Sequence, residues 1–221
     1  MSLPLIDKQD NFEVIRDQIA AVLVAETANQ MQLATNAAKD PQGWKLRVFT
    51  ERSNPWEQWL NGATDKSPLV NVWYDNSNFD QKASNISERQ NSGSIFNIDC
   101  YGCGASADNP GGGHFAGDES AALAVQKAVR LVRNILMASE NTYLQLRGLV
   151  WQRWPQSIAT FQPQIDGQQV QQVVGARIAL QVSFNEFAPQ YQPETLEYVA
   201  IDVKRAEDGE IVLEADYDYT L

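Results

Sequence analysis

The sequence predicts an α+β fold, in which two long α-helices pack on a mostly antiparallel β-sheet and a β-hairpin follows at the C-terminal end. Two segments, beginning near residues 11 and 118, repeat apolar residues at intervals of three and four, the period of an amphipathic helix. Other segments are rich in β-branched and aromatic residues, and Asp208-Gly209 is a typical hairpin turn. Because no internal repeat or linker divides residues 1–221, we expect one domain.

The first helix is predicted from about residue 11 to a point between residues 28 and 38. Asp10 is placed to cap its start, and Glu13, three residues later, completes a capping box. The apolar side begins at Phe12 and continues to Leu23. Residues 40–43, Asp-Pro-Gln-Gly, end any continuation.

The remaining elements follow in order. Asn54-Pro55 starts a short helix that Gly62 can end, and Asp118 starts the second long helix, with acidic residues first and basic residues later, as the helix dipole favours. The polar residues 75–88 are predicted to be a connection, and residues 102–117, with six glycines, to be irregular. Strands are predicted over residues 46–50, 69–74, 89–101, 149–161, 176–187, 197–205 and 210–217.

Composition excludes several classes of protein. Hydrophobic residues make up 43% and the mean hydropathy is -0.38, both ordinary for a globular protein. The longest aliphatic run, residues 20–25, is far shorter than the roughly 20 residues that span a bilayer. The first residues lack the basic start and apolar stretch of a signal peptide, so we expect an unprocessed cytosolic chain without a membrane partner. The net charge of -11 argues against wrapping nucleic acid.

The most distinctive spacing is Cys100-Tyr101-Gly102-Cys103, because two thiolates three residues apart bind zinc or form a redox pair, with His114 as a third ligand. A second ligand pair is missing, and a redox pair should begin a helix, whereas this one ends a strand. The favoured interpretation places Cys100 in a strand, buried, and Cys103 in a loop. A small metal-binding or redox protein using these three residues is the alternative function.

Catalytic motifs are missing from the rest of the sequence. The glycines at 111–113 match no nucleotide-binding fingerprint, no nucleophile elbow is present, and no short segment singles out a pair of carboxylates. We therefore expect no enzyme, no catalytic residues and no cofactor.

Two features suggest an interface. Trp56 and Trp59 form one side of the short helix, where they cover either the domain's own core or a second subunit. Residues 120–153 hold five basic side chains and one acidic side chain, whereas residues 206–221 hold six acids and no base. These complementary segments meet either within one chain or between neighbours in a ring.

The order of elements from about residue 10 to 188 resembles the tail terminator proteins, also called tail completion proteins, of long-tailed bacteriophages. Residues 189–221 and the glycine-rich loop are additions to that pattern. The resemblance lies in an amphipathic helix, then Val48-Phe49-Thr50-Glu51-Arg52, Pro68-Leu69-Val70-Asn71-Val72-Trp73-Tyr74, a strand from Arg89 to Cys100, the Asp118 helix with Ala122, Arg133, Ile135 and Leu136, Leu149-Val150-Trp151, and a strand from Ile178 to Phe184.

The resemblance implies a structural virion protein that forms a homohexameric ring, caps the tail tube, ends tail polymerisation and offers a docking surface to the head-side connector or neck protein. Another neck or head–tail joining protein is the alternative within this class. A sheath protein is a further partner if the tail contracts. The chain would assemble in the bacterial cytoplasm and remain in the tail or neck of the virion.

DNA would cross the bore without specific binding, because an acidic lining repels phosphate. The interface candidates are Glu51, Arg52, Trp56, Trp59, Arg130, Arg133 and Asp216.

Overall fold

A computed structural model describes residues 5, 7–60, 64–79, 89–104, 106–108, 114–163, 172–187, 198–204 and 211–218. The fold is α+β, with a five-stranded, mostly antiparallel sheet and three α-helices, two of them long, which confirms the predicted class. The chain divides into two compact units, Met1–Phe187 and Ala188–Leu221. This boundary lies next to the predicted start of the extension at residue 189.

The first unit contains all three α-helices and the large sheet. Its elements are α1 (Asn11–Asn36), β1 (Arg47–Thr50), α2 (Glu57–Leu60), β2 (Leu69–Phe79), β3 (Arg89–Gly104), β4 (Ala107–Asp108), β5 (His114–Phe115), α3 (Gly117–Met137), β6 (Val150–Phe161) and β7 (Gln172–Phe187), with short 3-10 helices at Pro41–Trp44 and Ser139–Asn141. The strands of the large sheet lie in the order β1-β2-β3-β7-β6; β1 runs parallel to β2, and every other neighbouring pair is antiparallel.

Both long helices begin as their sequences predict. At the start of α1 the backbone N–H of Asp10 donates to the Glu13 carboxylate at 2.8 Å, as in a capping box. In the first turn of α3, Asp118 and Glu119 place negative charge at the positive end of the helix dipole.

The main core lies between one face of the sheet and the two long helices. Alternate residues of β2, β3 and β7 point toward the helices, because side chains alternate between the faces of a strand. Gly102 lets α3 approach closely, since a Cβ there would lie 2.5 Å from the carbonyl oxygen of Ala121. The fully buried members of this core include Ile15, Ile19 and Leu23 of α1, Val70 and Val72 of β2, Phe96, Ile98 and Cys100 of β3, Val132 and Leu136 of α3, and Ile178, Leu180, Val182 and Phe184 of β7.

Strand β2 extends beyond its predicted end, which corrects the interpretation of residues 75–88 as a connection. The strand continues to Phe79 and remains paired with β3 after a register shift between Tyr74 and Asn76. Backbone hydrogen bonds of an antiparallel pair are independent of side-chain type. A polar segment can therefore continue a strand that its side-chain pattern does not predict.

The glycine-rich segment is also more regular than predicted. β3 continues to Gly104, so Cys103 lies in a strand and its predicted loop position is wrong. Pairing with β7 explains this, because Gly102, Cys103 and Gly104 stand opposite residues 174, 173 and 172. The short strands β4 and β5 pair with each other in the same segment.

The second unit contains the predicted C-terminal hairpin. β8 (Tyr198–Lys204) pairs antiparallel with β9 (Ile211–Asp218) as a two-stranded sheet. The predicted Asp208-Gly209 turn lies outside the described residues. Among the helices that the structure describes, none is both long enough and apolar enough to cross a membrane.

Candidate functional site

The face of the sheet opposite α1 and α3, which we call the back face, combines an apolar cluster with an ion pair. Its buried apolar members are Trp59, Leu69, Tyr101, Cys103 and Val173, and Phe49, Trp56 and Phe161 pack against them. Odd-numbered positions of β2, β3 and β7 face this side, because the even-numbered ones fill the main core.

The ion pair joins Asp99 of β3 to Arg177 of β7, which stand directly opposite each other in the strand register. Arg177 Nε lies 2.7 Å from Asp99 Oδ1, and Arg177 Nη2 lies 2.9 Å from Oδ2, a two-pronged geometry that strengthens the contact. Trp73 Nε1–H donates to Asp99 at 3.0 Å and the Tyr101 hydroxyl donates at 3.3 Å. The Asp99 side chain is only 4% exposed, so these four hydrogen bonds replace its water.

The surroundings of the pair favour the charged form of Arg177 and the protonated form of Tyr101. Hydrogen bonds to Asp99 raise the pKa of Arg177, although partial burial opposes this. Burial, and then the negative charge of Asp99, raise the pKa of the Tyr101 hydroxyl. Tyr101 therefore stays protonated and donates its hydrogen bond at neutral pH. The Asp99–Arg177 contact is a structural ion pair that joins β3 to β7.

Aromatic rings surround the exposed side of this pair. The guanidinium carbon of Arg177 lies 4.7 Å from the ring centroid of Trp73 and 5.5 Å from that of Phe161, both within cation–π range. Tyr101 packs edge-on against Phe161, with ring centroids 5.8 Å apart, and its ring lies 5.0 Å from that of Trp56. Arg177 of β7 thus contacts Trp73 of β2, on the far side of β3, and Phe161 of the neighbouring strand β6.

A pocket of about 440 Å³ opens above the ion pair, and its walls include the predicted interface residues Glu51, Arg52 and Trp56. Two hydrogen bonds between Asn71 and the Arg52 backbone, of 3.0 and 2.9 Å, hold the segment after β1 in place. Glu51 accepts a hydrogen bond from the backbone N–H of Tyr74 at 3.0 Å. The fold therefore gathers three of the seven interface candidates around one depression.

The other four candidates lie elsewhere. Trp59 is completely buried in the back-face cluster, so its side chain packs within the chain's own core. Arg130 and Arg133 are exposed on α3, and none of the described carboxylates forms an ion pair with either. Asp216 lies in β9 opposite Ala200, and its side chain is outside the described part of the chain.

The two cysteines do not form the paired site that their spacing suggests. Cys100 belongs to the main core, whereas Cys103 belongs to the back-face cluster, because residues three apart in a strand point to opposite faces. Burial raises the pKa of both thiols, which disfavours the thiolate that binds metal. His114 lies in β5 with its side chain outside the described residues. In the described part of the chain, no three His, Cys, Asp or Glu side chains gather as a metal site.

The edge strand β6 is a second exposed surface. None of the described strands pairs with its outer edge, which extends over the 12 residues of Val150–Phe161. Trp151 is 49% and Ile158 is 46% exposed. Near its start, Arg153 donates to the carbonyl oxygens of Asn141 and Ala138, at 2.6 and 2.8 Å, and so anchors the strand to the segment after α3.

The sequence matches no protein-family model, and no curated protein is significantly similar to it. The function is therefore inferred from the order of the elements, the back-face pocket, the β6 edge and the charged surfaces.

Proposed function

We propose that this protein is a structural ring subunit, the tail terminator of a long-tailed bacteriophage, which assembles as a homohexamer on the end of the tail tube. The order of elements from α1 to β7 supports the proposal, because it contains the helix, strand and helix succession on which the resemblance rests. The opposed orientations of Cys100 and Cys103 count against the metal-binding alternative.

The open edge of β6 is the observation that carries this proposal. An unpaired edge strand presents backbone donors and acceptors to other chains. Pro155 and the register shifts at Val150/Gln152 and Pro155/Ser157 interrupt the backbone of this edge, so its exposed apolar side chains would carry the contact. β6 is 12 residues long and exposes Trp151 and Ile158. In a closed ring each β6 edge would contact a different surface of the next copy, which is the head-to-tail geometry that rings require.

The proposed mechanism is geometric and needs no catalytic residue. One face of the ring would offer tube-like contacts and the other face would lack them, so that addition of tube subunits stops. The free face would then receive the connector or neck protein. With a net charge of -11 per chain, the ring would repel the phosphate backbone of DNA crossing its bore.

Native mass spectrometry of the full chain, alone and with the tail tube protein of the same phage, tests the proposal. We expect a ring of six chains of 24.7 kDa, about 148 kDa in total, and tubes whose growth ends when the ring is added. A chain that stays monomeric with tube protein present, while tubes continue to lengthen, would refute it.

Matched variants locate the contact. Trp151→Glu/Ile158→Glu should prevent ring formation while the circular dichroism spectrum stays native, because both side chains are exposed. Val24→Glu/Leu33→Glu on α1 is the control, since these residues are 55% and 50% exposed on another surface. If both pairs of substitutions impair assembly equally, the β6 edge is not the specific contact.

A further inference from the structure

The two units of the chain differ sharply in charge. Residues 188–221 hold nine acidic and two basic residues, a net charge of -7, whereas the preceding 187 residues hold 19 acidic and 15 basic ones, a net charge of -4. Most of the excess negative charge of the protein therefore belongs to the unit that contains the β8–β9 hairpin.

The register of the hairpin places like charges together. Asp202 stands directly opposite Glu214, and a like-charge pair in this position destabilises an antiparallel ladder. Asp216 and Asp218 follow Glu214 at alternate positions of β9, so this strand carries three acidic residues within five positions. An isolated two-stranded hairpin is at best marginally stable in water. A partner surface that supplies cations would therefore increase the stability of the hairpin.

The exposed side of α3 has the complementary chemistry. Lys127, Arg130 and Arg133, which we call the basic stripe, are exposed at intervals of three, and no acidic residue occurs between residues 120 and 137. Lys127 lies over the ring of Trp44, 5.4 Å from its centroid. Within the described structure, Arg130 and Arg133 form no ion pair.

We propose that the basic stripe of α3 binds the acidic β8–β9 hairpin of a second copy of this chain. The inference rests on the proposed ring, in which each copy offers one surface and accepts another. The compact hairpin unit would be donated to the neighbour, where the basic stripe relieves the repulsion between Asp202 and Glu214. The contact would be weaker at high salt, because exposed charges are screened.

Charge reversal on each surface, in the full chain, tests this contact. One variant is Arg130→Glu/Arg133→Glu and the other is Glu214→Lys/Asp216→Lys, which also places a lysine opposite Asp202. In sedimentation velocity over a range of concentrations, we expect each variant alone to need about tenfold more protein than wild type to assemble. The control, Lys8→Glu/Lys39→Glu, makes the same charge change as the α3 variant at exposed sites outside α3 and should assemble like wild type.

An equimolar mixture of the two variants separates contact between chains from contact within one chain. In an alternating ring every basic surface would meet an acidic one, so the mixture should assemble at the wild-type concentration although neither variant does so alone. If the variants assemble like wild type, this inference is wrong and the proposed ring stands. If the mixture does not assemble at the wild-type concentration but a chain with all four substitutions does, the contact is within one chain and the inference is overturned. A wild-type chain that never associates would overturn both proposals.

Discussion

Removing the cation of the back-face ion pair should destabilise the fold strongly. In the variant Arg177→Met, a side chain of similar length replaces the guanidinium, and the Asp99 carboxylate, 4% exposed, keeps only its hydrogen bonds from Trp73 and Tyr101. Removing one partner of a buried ion pair costs about 3–5 kcal/mol. We expect about 3 kcal/mol, the lower end, because two donors still face the carboxylate and the Arg177 side of the pair, 40% exposed, is open to water. For a unit of this size the melting temperature should fall by about 6–12 °C.

Two further variants distinguish lost charge from lost packing. Arg177→Lys keeps the charge but loses the two-pronged geometry and the stacking on Trp73, so we expect a loss of about 1 kcal/mol. The double variant Asp99→Asn/Arg177→Met removes both charges and should recover much of the stability, since a neutral pair no longer leaves a buried charge without its partner.

Urea unfolding followed by tryptophan fluorescence and circular dichroism measures these differences in the free energy of unfolding. The reasoning is refuted if Arg177→Met lies within about 1 kcal/mol of wild type. It is also refuted if the effects of Arg177→Met and of Asp99→Asn, each measured alone, simply add in the double variant, because additivity would mean that the two charges are not coupled.

Three other changes have distinct expected outcomes. Gly102→Ala should lower the free energy of unfolding by about 1–3 kcal/mol because its Cβ would meet the α3 backbone. The control Gly93→Ala, whose Cβ would meet only the flexible end of a side chain, should have a melting temperature close to that of wild type. Trp59→Ala should cost about 3–5 kcal/mol at any protein concentration, since its side chain fills the core, and more than Trp56→Ala, whose side chain is partly exposed. Hydrogen bonds from a neighbouring serine and then a lysine lower the pKa of Asp65. That group therefore stabilises the fold above its ordinary pKa and loses this effect as pH falls. The gap between the urea midpoints of wild type and Asp65→Asn should narrow below about pH 4.

Local sequence pattern predicts the helices and the main strands but not the ends of the strands. The capping box at Asp10 and the acids at the start of α3 are local features, and both helices begin next to them. β2 and β3 instead extend beyond their predicted ends, to Phe79 and Gly104, because neighbouring strands supply backbone hydrogen bonds there. Pairing of this kind depends on the partner strand and leaves no periodic pattern in the extended segment.

The candidate site is only partly predictable for a related reason. The interface expectation includes Glu51, Arg52 and Trp56, which the fold brings to one pocket. It misses Asp99 and Arg177, which are 78 positions apart in sequence and meet only through the register of β3 and β7. Alternation predicts that Asp99 and Arg177 lie on the more polar face of their strands, but the register between two distant strands depends on tertiary structure.

The two-sided use of β3 limits how this sequence can change in length. Its even positions pack against the helices and its odd positions build the back-face cluster, so the insertion or deletion of one residue near Ile98 would exchange the two sets. β2 has a place where such a change is absorbed, since the register shift between Tyr74 and Asn76 adds a residue without moving the buried positions before it. Length variation among descendants of this chain should therefore occur on the Phe79 side of that shift, while the segment from Leu69 to Tyr74 keeps its length.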